Sequence, residues 1–440
     1  MNYLLILLGK LVLWISKTFN LGSGSTWPGH VAMETNPRFV KQVLKKNPNL
    51  KVVLVAGTNG KTTTSLMLRK ILEEAGLKVF QNEAGANLLN GIASTVITNC
   101  SLFGKIKYDV AIFEVDERNV SLTLKEINPY AIMLLNIFRD QLDRYGEVNQ
   151  VIGDWQEALG KLDSKTILVT NGDDPELTYV AQKSKLTSYY FGVEEKLMTQ
   201  GLNPRSKNQD LKTDTDFTYC PNCQTKLKYS KISFSHMGRF SCPKCKLTNP
   251  ETKTFPTLPH PLLGLYNIYN TNAAVLLASI AFNVGKDTVH KALEDFKPAF
   301  GRQETIKYKN REVIMLLSKN PAGFNQSIGA MIDSKKEGNV LLLLNDRIPD
   351  GRDVSWIWDV DFENIPKQYE IFISGDRAYD MGLRIKYLGD RKLDTNIFQG
   401  LENSIDQAIA ATKPEETLFI FPTYSAMLEA RKILTGKAIL

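Results

Sequence analysis

Residues 53–65 read VLVAGTNGKTTTS. An apolar run leads into a turn bracketed by two glycines, and a lysine with three threonines then opens a helix. That order predicts a strand over 52–55 and a helix over 62–75, stopped by Gly76. Gly57 and Gly60 let the backbone N–H groups of the turn, including those of Thr58 and Asn59, crowd around phosphate oxygens where a side chain would clash. Lys61 reaches the β- and γ-phosphates, the hydroxyl of Thr62 is placed for Mg²⁺, and Thr63 beside it joins the nucleotide-binding set. The positive helix N-terminus faces the anion. The strict G-x-x-x-x-G-K-[ST] pattern is not met, because Val55 occupies the first glycine's place. A glycine turn of no function is the bland alternative. Strand, turn and helix in register disfavour it, and the stretch predicts an ATP site.

At 440 residues the chain is too long for one ordinary core, so two or three domains are expected. A net charge of +7 suits anionic ligands or a membrane surface without compelling nucleic acid. Residues 3–15 (YLLILLGKLVLWI) are apolar but interrupted by Gly9 and Lys10. They fall short of the ~20 residues a membrane span needs. No basic residue precedes the run, which argues against a signal peptide. The expectation is a buried or interfacial N-terminal helix in a cytoplasmic protein, with peripheral contact at the inner face of the membrane as the alternative.

Four of the five cysteines form one pattern, Cys220-Pro-Asn-Cys223 and Cys242-Pro-Lys-Cys245, with eighteen residues between the two knuckles. Each knuckle offers two thiolates to one ion. Four thiolates leave no open position for water, so the expected metal is a structural zinc. Disulfides are disfavoured by the compartment. Cys100 stands alone, with no histidine nearby to activate it.

Short apolar runs at 109–115, 131–137 and 166–170 alternate with helical segments, the pattern of a doubly wound α/β sheet. The knuckles interrupt this order after the polar stretch 202–216. Alternation restarts after Pro298 with runs at 313–317, 340–344, 371–374, 395–398 and 418–421. The expected organisation is an N-terminal helix and loop over 1–46, an ATP-binding domain over 47–297 with the ribbon inserted at about 216–250, and a Rossmann-like α/β domain over 298–440, with 297–301 as hinge. Glu114 ends an apolar strand at the sheet edge where ligands bind, and can share Mg²⁺ with Thr62. Asp116 and Glu117 read more readily as loop charges.

These residues carry a resemblance. GTNGKTTT at 57–64, Glu114, NGDD at 171–174, GLYNIYNTNAA at 264–274 and FGRQE at 300–304 resemble the Mur ligases, in this order and roughly this spacing. That family, with the folylpolyglutamate synthases, activates a carboxylate with ATP and lets an amine attack the acyl phosphate. The resemblance implies phosphate and Mg²⁺ roles for Lys61 and Thr62 and a metal role for Glu114. It implies adenine contact by Asn267 with Asn270 in support, and a nucleotide contact by Arg302. Departures are visible too. Tyr266 and Gln141 replace usual histidines, Gln156 stands where many members carry a carbamylated lysine for a second Mg²⁺, and Leu317 replaces the acidic residue that holds the ribose, although Lys319 beside it matches. The frame of Asn136, Asp140 and Asp143 is kept.

With the Cys₄ ribbon, with the start of the chain at 22–29 (GSGSTWPG), with SKNPAGFN at 318–325 and with DGRDVSWIWD at 350–359, the chain closely resembles the MurT family. These are the ligase-like subunits of lipid II isoglutaminyl synthases. The resemblance implies amidation of the D-glutamate α-carboxylate of the lipid II stem peptide. The cofactors it implies are ATP and Mg²⁺, beside the Zn²⁺ of the cysteine knuckles, with ammonia from glutamine hydrolysed by a separate GatD subunit. Asp353 resembles the acidic residue that completes that partner's Cys–His arrangement, with Asp350 and Asp359 as competitors, and Lys319 joins the catalytic set. Trp356 and Trp358 serve either an interface or packing. A stand-alone amino-acid ligase and a zinc-ribbon ATPase acting on nucleic acid are the readings set against this one. Scattered, mild basic charge argues against nucleic acid.

Overall fold

The computed structural model describes residues 2–18, 26–82, 85–138, 145–200, 219–389 and 396–437. The chain divides into two compact units, one built of 1–138, 146–261 and 268–296, the other of 139–145, 262–267 and 297–440.

The first unit is organised on a six-stranded sheet of β1 (Lys51–Ala56), β2 (Val79–Gln81), β3 (Val110–Val115), β4 (Ala131–Leu134), β5 (Ile167–Asn171) and β6 (Thr187–Phe191). Its order is β2-β3-β1-β4-β5-β6, and every pairing is parallel. The central strands are buried along their whole length, which is why they read as continuous apolar runs instead of alternating ones. The helix after β1 spans Lys61–Glu74, and Gly76, at φ 85°, follows its end. The run 131–137 ends its pairing at Leu134, three residues before its apolar character does. The remaining residues leave the sheet to wrap the turn after β1.

At the N-terminus a helix, Asn2–Thr18, packs on the helices Trp27–Thr35 and Leu89–Asn99. Leu5 and Ile6 join the core with Phe39, Val40 and Val43. Gly29 permits the closest approach, since a Cβ there would lie 1.8 Å from the Asn90 carbonyl oxygen. Its N–H donates to Ser94 Oγ at 2.8 Å. Among the described residues no helix is long and apolar enough to cross a membrane.

A small antiparallel sheet, β7 (Thr199–Gln200), β8 (Lys228–Phe234) and β9 (Met237–Ser241), carries the cysteine knuckles. Each knuckle is closed by its own bridge, Tyr219 with Lys226 and Ser241 with Thr248. The polar stretch 202–216, and with it the start of the expected insertion, lies outside the described residues.

The second unit holds β10 (Arg302–Tyr308), β11 (Arg311–Leu316), β12 (Gly338–Leu343), β13 (Ile371–Ser374) and β14 (Thr417–Pro422) in the order β10-β11-β14-β12-β13. Only β10 runs antiparallel to its neighbour. The apolar run at 395–398 does not form a strand of its own. It reduces to a single bridge between Ile373 and Ile397, and 390–395 lie outside the described residues. Arg302 to Glu304, the end of the motif read at 300–304, open the edge strand β10. Its one buried side chain is Ile306, so it carries no apolar signature. Apolar clusters cover both faces of this sheet, one around Phe324, Trp356 and Phe362, the other around Ile405, Met427 and Ala430.

Candidate functional site

The turn 57–60 is held from below by the chain leaving β4. The Thr58 N–H donates to the Asn136 carbonyl at 3.1 Å. Asn136 clamps Asn59 twice, accepting from its N–H at 2.9 Å and donating Nδ2–H to its carbonyl at 3.0 Å. The Phe138 N–H donates to Thr58 Oγ1 at 3.0 Å. Glycine is required at both bracket positions. Gly57 has φ 147°, with Asn136 main-chain atoms 3.0 Å from where a Cβ would lie, and Gly60 has φ 86°, with Asn270 Oδ1 at 2.2 Å. Asn270, buried, therefore abuts the phosphate turn itself.

Thr62 Oγ1 donates to Glu114 Oε2 at 2.7 Å, and both side chains are buried. Glu114 pairs in register with Val55 across β1 and β3. Asn82 fixes it there: Asn82 Oδ1 accepts from the Glu114 N–H at 2.8 Å, and Asn82 Nδ2 donates to the Glu114 carbonyl at 3.0 Å. Lys61 curls back over the turn, its Nζ donating to the carbonyls of Gly57 and Thr58 and lying 3.4 Å from Glu117 Oε2. Trp155, fully buried, donates Nε1–H to the Glu117 carbonyl at 2.8 Å. A buried ammonium, a hydroxyl and a carboxylate at a helix N-terminus are the hard donors and the charge that a Mg²⁺–polyphosphate requires. Glu117 has a more specific place than a loop charge, and Asn82 was not singled out by sequence. Asn82 directly follows β2, and only the fold shows that β2 pairs with β3. Asp116 accepts from the Arg118 N–H at 3.1 Å as a cap. Asp140, Gln141 and Asp143 lie outside the described residues.

From β5 the chain turns through a buried polar cluster. Asp174 caps the helix Pro175–Lys183 by accepting from the N–H groups of Glu176 and Leu177. Its other oxygen accepts from the Ile137 N–H at 3.4 Å and lies 3.2 Å from Nε2 of the fully buried His236. Asp173 pairs with Arg239 and accepts from the Val193 N–H at 3.0 Å. The Tyr269 hydroxyl lies 2.9 Å from both Asp173 Oδ2 and Ser233 Oγ. Burial pushes the Asp173 carboxyl up to about 6 despite Arg239. His236 and Arg239 belong to the hairpin between the knuckles, and the sequence gives His236 no role.

The four knuckle cysteines have their sulfurs within 4.8 Å of one another. Cys220 and Cys245 approach to 3.4 Å, and Cys223 and Cys242 to 3.5 Å. Thiolates at about 2.3 Å from a tetrahedral zinc stand close to 3.8 Å apart, so this donor set fits the ion. Hydrogen bonds from Thr225 lower the Cys223 thiol, while burial raises that of Cys220, a cost that a bound cation would offset. Cys100 is buried and its thiol is raised by burial, as suits packing.

The remaining predicted residues belong to the second unit. Asn267, at the start of the helix Leu265–Phe282, donates Nδ2–H to the Leu263 carbonyl at 2.8 Å. Tyr266, standing where a histidine is usual, receives a hydrogen bond on its hydroxyl from Gln303 Nε2 at 2.9 Å. Arg302 begins β10, and the neighbouring Glu304 accepts from Arg431 Nε at 3.0 Å and from the Gly301 N–H at 2.9 Å. Lys319 is half-buried next to Asn320, which caps the helix Pro321–Asp333 through the Gly323 N–H.

In the loop after β12, Asp350 is buried and consumed by Ser425, accepting from its N–H at 2.8 Å and pairing with its hydroxyl. Asp353 is half-exposed and accepts only a local bond from the Ser355 N–H at 2.8 Å, which with the Ser355 side chain holds its carboxyl below the usual range. Trp356 is buried in the core, whereas Trp358 is exposed beside Tyr387.

Residues 55–278 match the family model of the Mur ligase middle domain, and 317–427 match that of the MurT ligase C-terminal domain. The chain is 31% identical over 446 residues to the MurT subunit of the glutamine-hydrolysing lipid II isoglutaminyl synthase of Streptococcus pneumoniae, covering 95% of this chain and 94% of that protein. It is 30% identical over 382 residues to the MurT subunit from Staphylococcus aureus strain COL, covering 82% and 83%. Among solved structures, a pseudomurein peptide ligase type C from Methanothermus fervidus shares the fold at TM-score 0.62 and 22% identity, over 91% of this chain and 85% of that one. With the phosphate turn inside one matched segment, the Asp353 loop inside the other, and a relative aligned almost end to end, the chain belongs to the Mur ligase family, in its MurT branch.

Proposed function

We propose that this chain is the ATP-using subunit of a lipid II isoglutaminyl synthase, converting the D-glutamate α-carboxylate of the stem peptide to a carboxamide. The observation that carries the reading is the near end-to-end similarity to the pneumococcal MurT subunit. A carboxylate oxygen of the substrate attacks the γ-phosphorus and ADP leaves. Ammonia then attacks the acyl carbon, the C–O bond to phosphate breaks, and the nitrogen loses its proton. Lys61, freed from the turn carbonyls, neutralises the transferring phosphoryl group, while the turn N–H groups orient it. Thr62 and Glu114 would hold Mg²⁺, which when bound offsets charge on the phosphate oxygens. Asn267 and Asn270 serve the adenine side, Arg302 and Lys319 the nucleotide and acyl phosphate. The four cysteines would hold a structural zinc.

Ammonia is scarce as free base at neutral pH, so delivery from a bound glutaminase of the GatD type raises its effective concentration at the acyl phosphate. Asp353, ionised and half-exposed, is the acidic residue that orients the partner's catalytic histidine. Its rival Asp350 is already committed to Ser425. The lipid-linked substrate places the reaction at the inner face of the membrane.

The reading set against this one is a stand-alone ligase that joins an amino acid. Nucleophile choice separates them. With lipid II, ATP and ammonium at alkaline pH, the chain alone should form the carboxamide. A product carrying an added amino acid instead would favour the stand-alone ligase.

A further inference from the structure

The helix Asn2–Thr18 is apolar on more faces than the fold uses. Leu5, Ile6 and Gly9 turn inward. Leu4, Leu8, Leu11 and Trp14 recur at helical spacing and stand outward, Leu4 at 60% and Trp14 at 62% exposure. The stripe continues onto neighbouring segments. Phe103, 76% exposed, stacks on Tyr3 with ring centroids 5.9 Å apart, and Trp27 stands out from the adjoining helix Trp27–Thr35. So large a contiguous apolar face on an otherwise charged surface marks a docking site.

We infer that this face seats the chain on an anionic lipid bilayer. Charge chooses the occupant. Through residue 50 the sequence carries six basic residues, Lys10, Lys17, Arg38, Lys41, Lys45 and Lys46, against Glu34 alone. Lys105 is exposed two residues beyond Phe103. The first 50 residues thus carry a net +5 of the chain's +7, with Lys10 on the helix itself and Lys105 beside Phe103. A second copy would set basic surface against basic surface, whereas anionic headgroups complement it. Leucines and tryptophans on one side with lysines at the margins is the composition of a helix lying in the interface plane. The helix is too short to span. This inference goes beyond the proposed amidation and does not need it, since binding is measured without nucleotide, glutamine or lipid II.

The test is co-sedimentation of the full zinc-loaded chain with vesicles of phosphatidylcholine, with and without phosphatidylglycerol. Binding is expected to the anionic vesicles, to weaken on pure phosphatidylcholine, and to fall in about 0.5 M salt as headgroup charge is screened. Leu4→Glu combined with Leu8→Glu and Trp14→Ser should lower affinity at least about tenfold with ATP binding unchanged. Should that variant fail to fold, Lys10→Gln with Lys105→Gln leaves the apolar stripe intact and should still weaken binding to anionic vesicles. The inference is overturned if the wild-type chain ignores anionic vesicles or if neither variant binds them less well. It is overturned equally if lipid-free sedimentation gives a dimer that the apolar variant splits, or if a bound glutaminase subunit abolishes vesicle binding. Those last two results would show a protein covering the face.

Discussion

The hydroxyl of Thr62 donates 2.7 Å to Glu114 Oε2, joining the first turn of the helix after β1 to the end of β3. Those two oxygens lie beside the turn that Asn136 clamps. If they hold Mg²⁺ as proposed, substituting either removes a ligand and leaves the fold, because Glu114 is positioned through its backbone by Asn82. Thr62→Ala and Glu114→Gln should each lower kcat by about 10²–10³ and raise the Mg²⁺ concentration needed for half-maximal turnover. Lys61→Ala should abolish turnover with a melting temperature close to wild type. Normal activity in all three would remove the nucleotide assignment.

The hairpin between the cysteine knuckles reaches the nucleotide turn through two buried contacts, His236 to Asp174 and Asp174 to the Ile137 N–H. Phe138 packs on the same hairpin, its ring 5.8 Å from Phe234 and 5.1 Å from His236. Purified protein should hold one zinc per chain. Cys220→Ser should lose it, melt several degrees lower, and raise the KM for ATP more than it lowers kcat. Elemental analysis of chelator-free protein showing no zinc would refute the Cys₄ centre.

Glu176 carries a pH signature. Burial, reinforced by the Asp174 charge, pushes its carboxyl up to about 8 from the ordinary 4.5. The folded state therefore holds a proton that the unfolded state releases. Stability falls as pH rises from about 4.5, and the loss is complete above about 8. Glu176→Gln removes the titration, so the variant should gain stability over wild type as pH climbs from 6.5 to 9. Denaturant midpoints at several pH values measure this. A constant difference across the range would contradict the assignment.

Much of the first unit was legible because its central strands are buried on both faces and so read as unbroken apolar runs. The glycine-bracketed turn after β1 was legible because glycine spacing and a following lysine are local. β10 was not, since an edge strand of Arg302, Glu304 and Lys307 has no apolar period to see. Nor were Asn82, Glu117 and His236, whose partners are Glu114, Lys61 and Asp174. Only the fold sets such residues side by side, and no short-range pattern marks them. The end of β4 was misjudged for a related reason. Leu135 and Ile137 are as buried as strand residues while serving the turn.

Asp353→Asn separates ligase from glutaminase chemistry. The variant should bind ATP and its partner normally yet lose glutamine-dependent amidation, by up to about 10⁴ as in the comparable change of a serine protease triad. An amide cannot stabilise the imidazolium as a carboxylate does. Added ammonium at alkaline pH should restore product. Normal glutamine hydrolysis in the variant complex would remove Asp353 from the partner's site, and failure of ammonium rescue would move it into the ligase site.

The central claim is that nitrogen from glutamine ends as a carboxamide on the lipid II stem peptide through ATP chemistry on this chain. Its most direct test supplies the chain and its co-purified glutaminase subunit with lipid II, ATP and glutamine labelled with ¹⁵N at the amide, followed by mass spectrometry of the stem peptide. The account predicts the label in the D-glutamate α-carboxamide, dependent on ATP and absent with Lys61→Ala. Unlabelled carboxylate, or an intact amino acid added to the peptide, would contradict it.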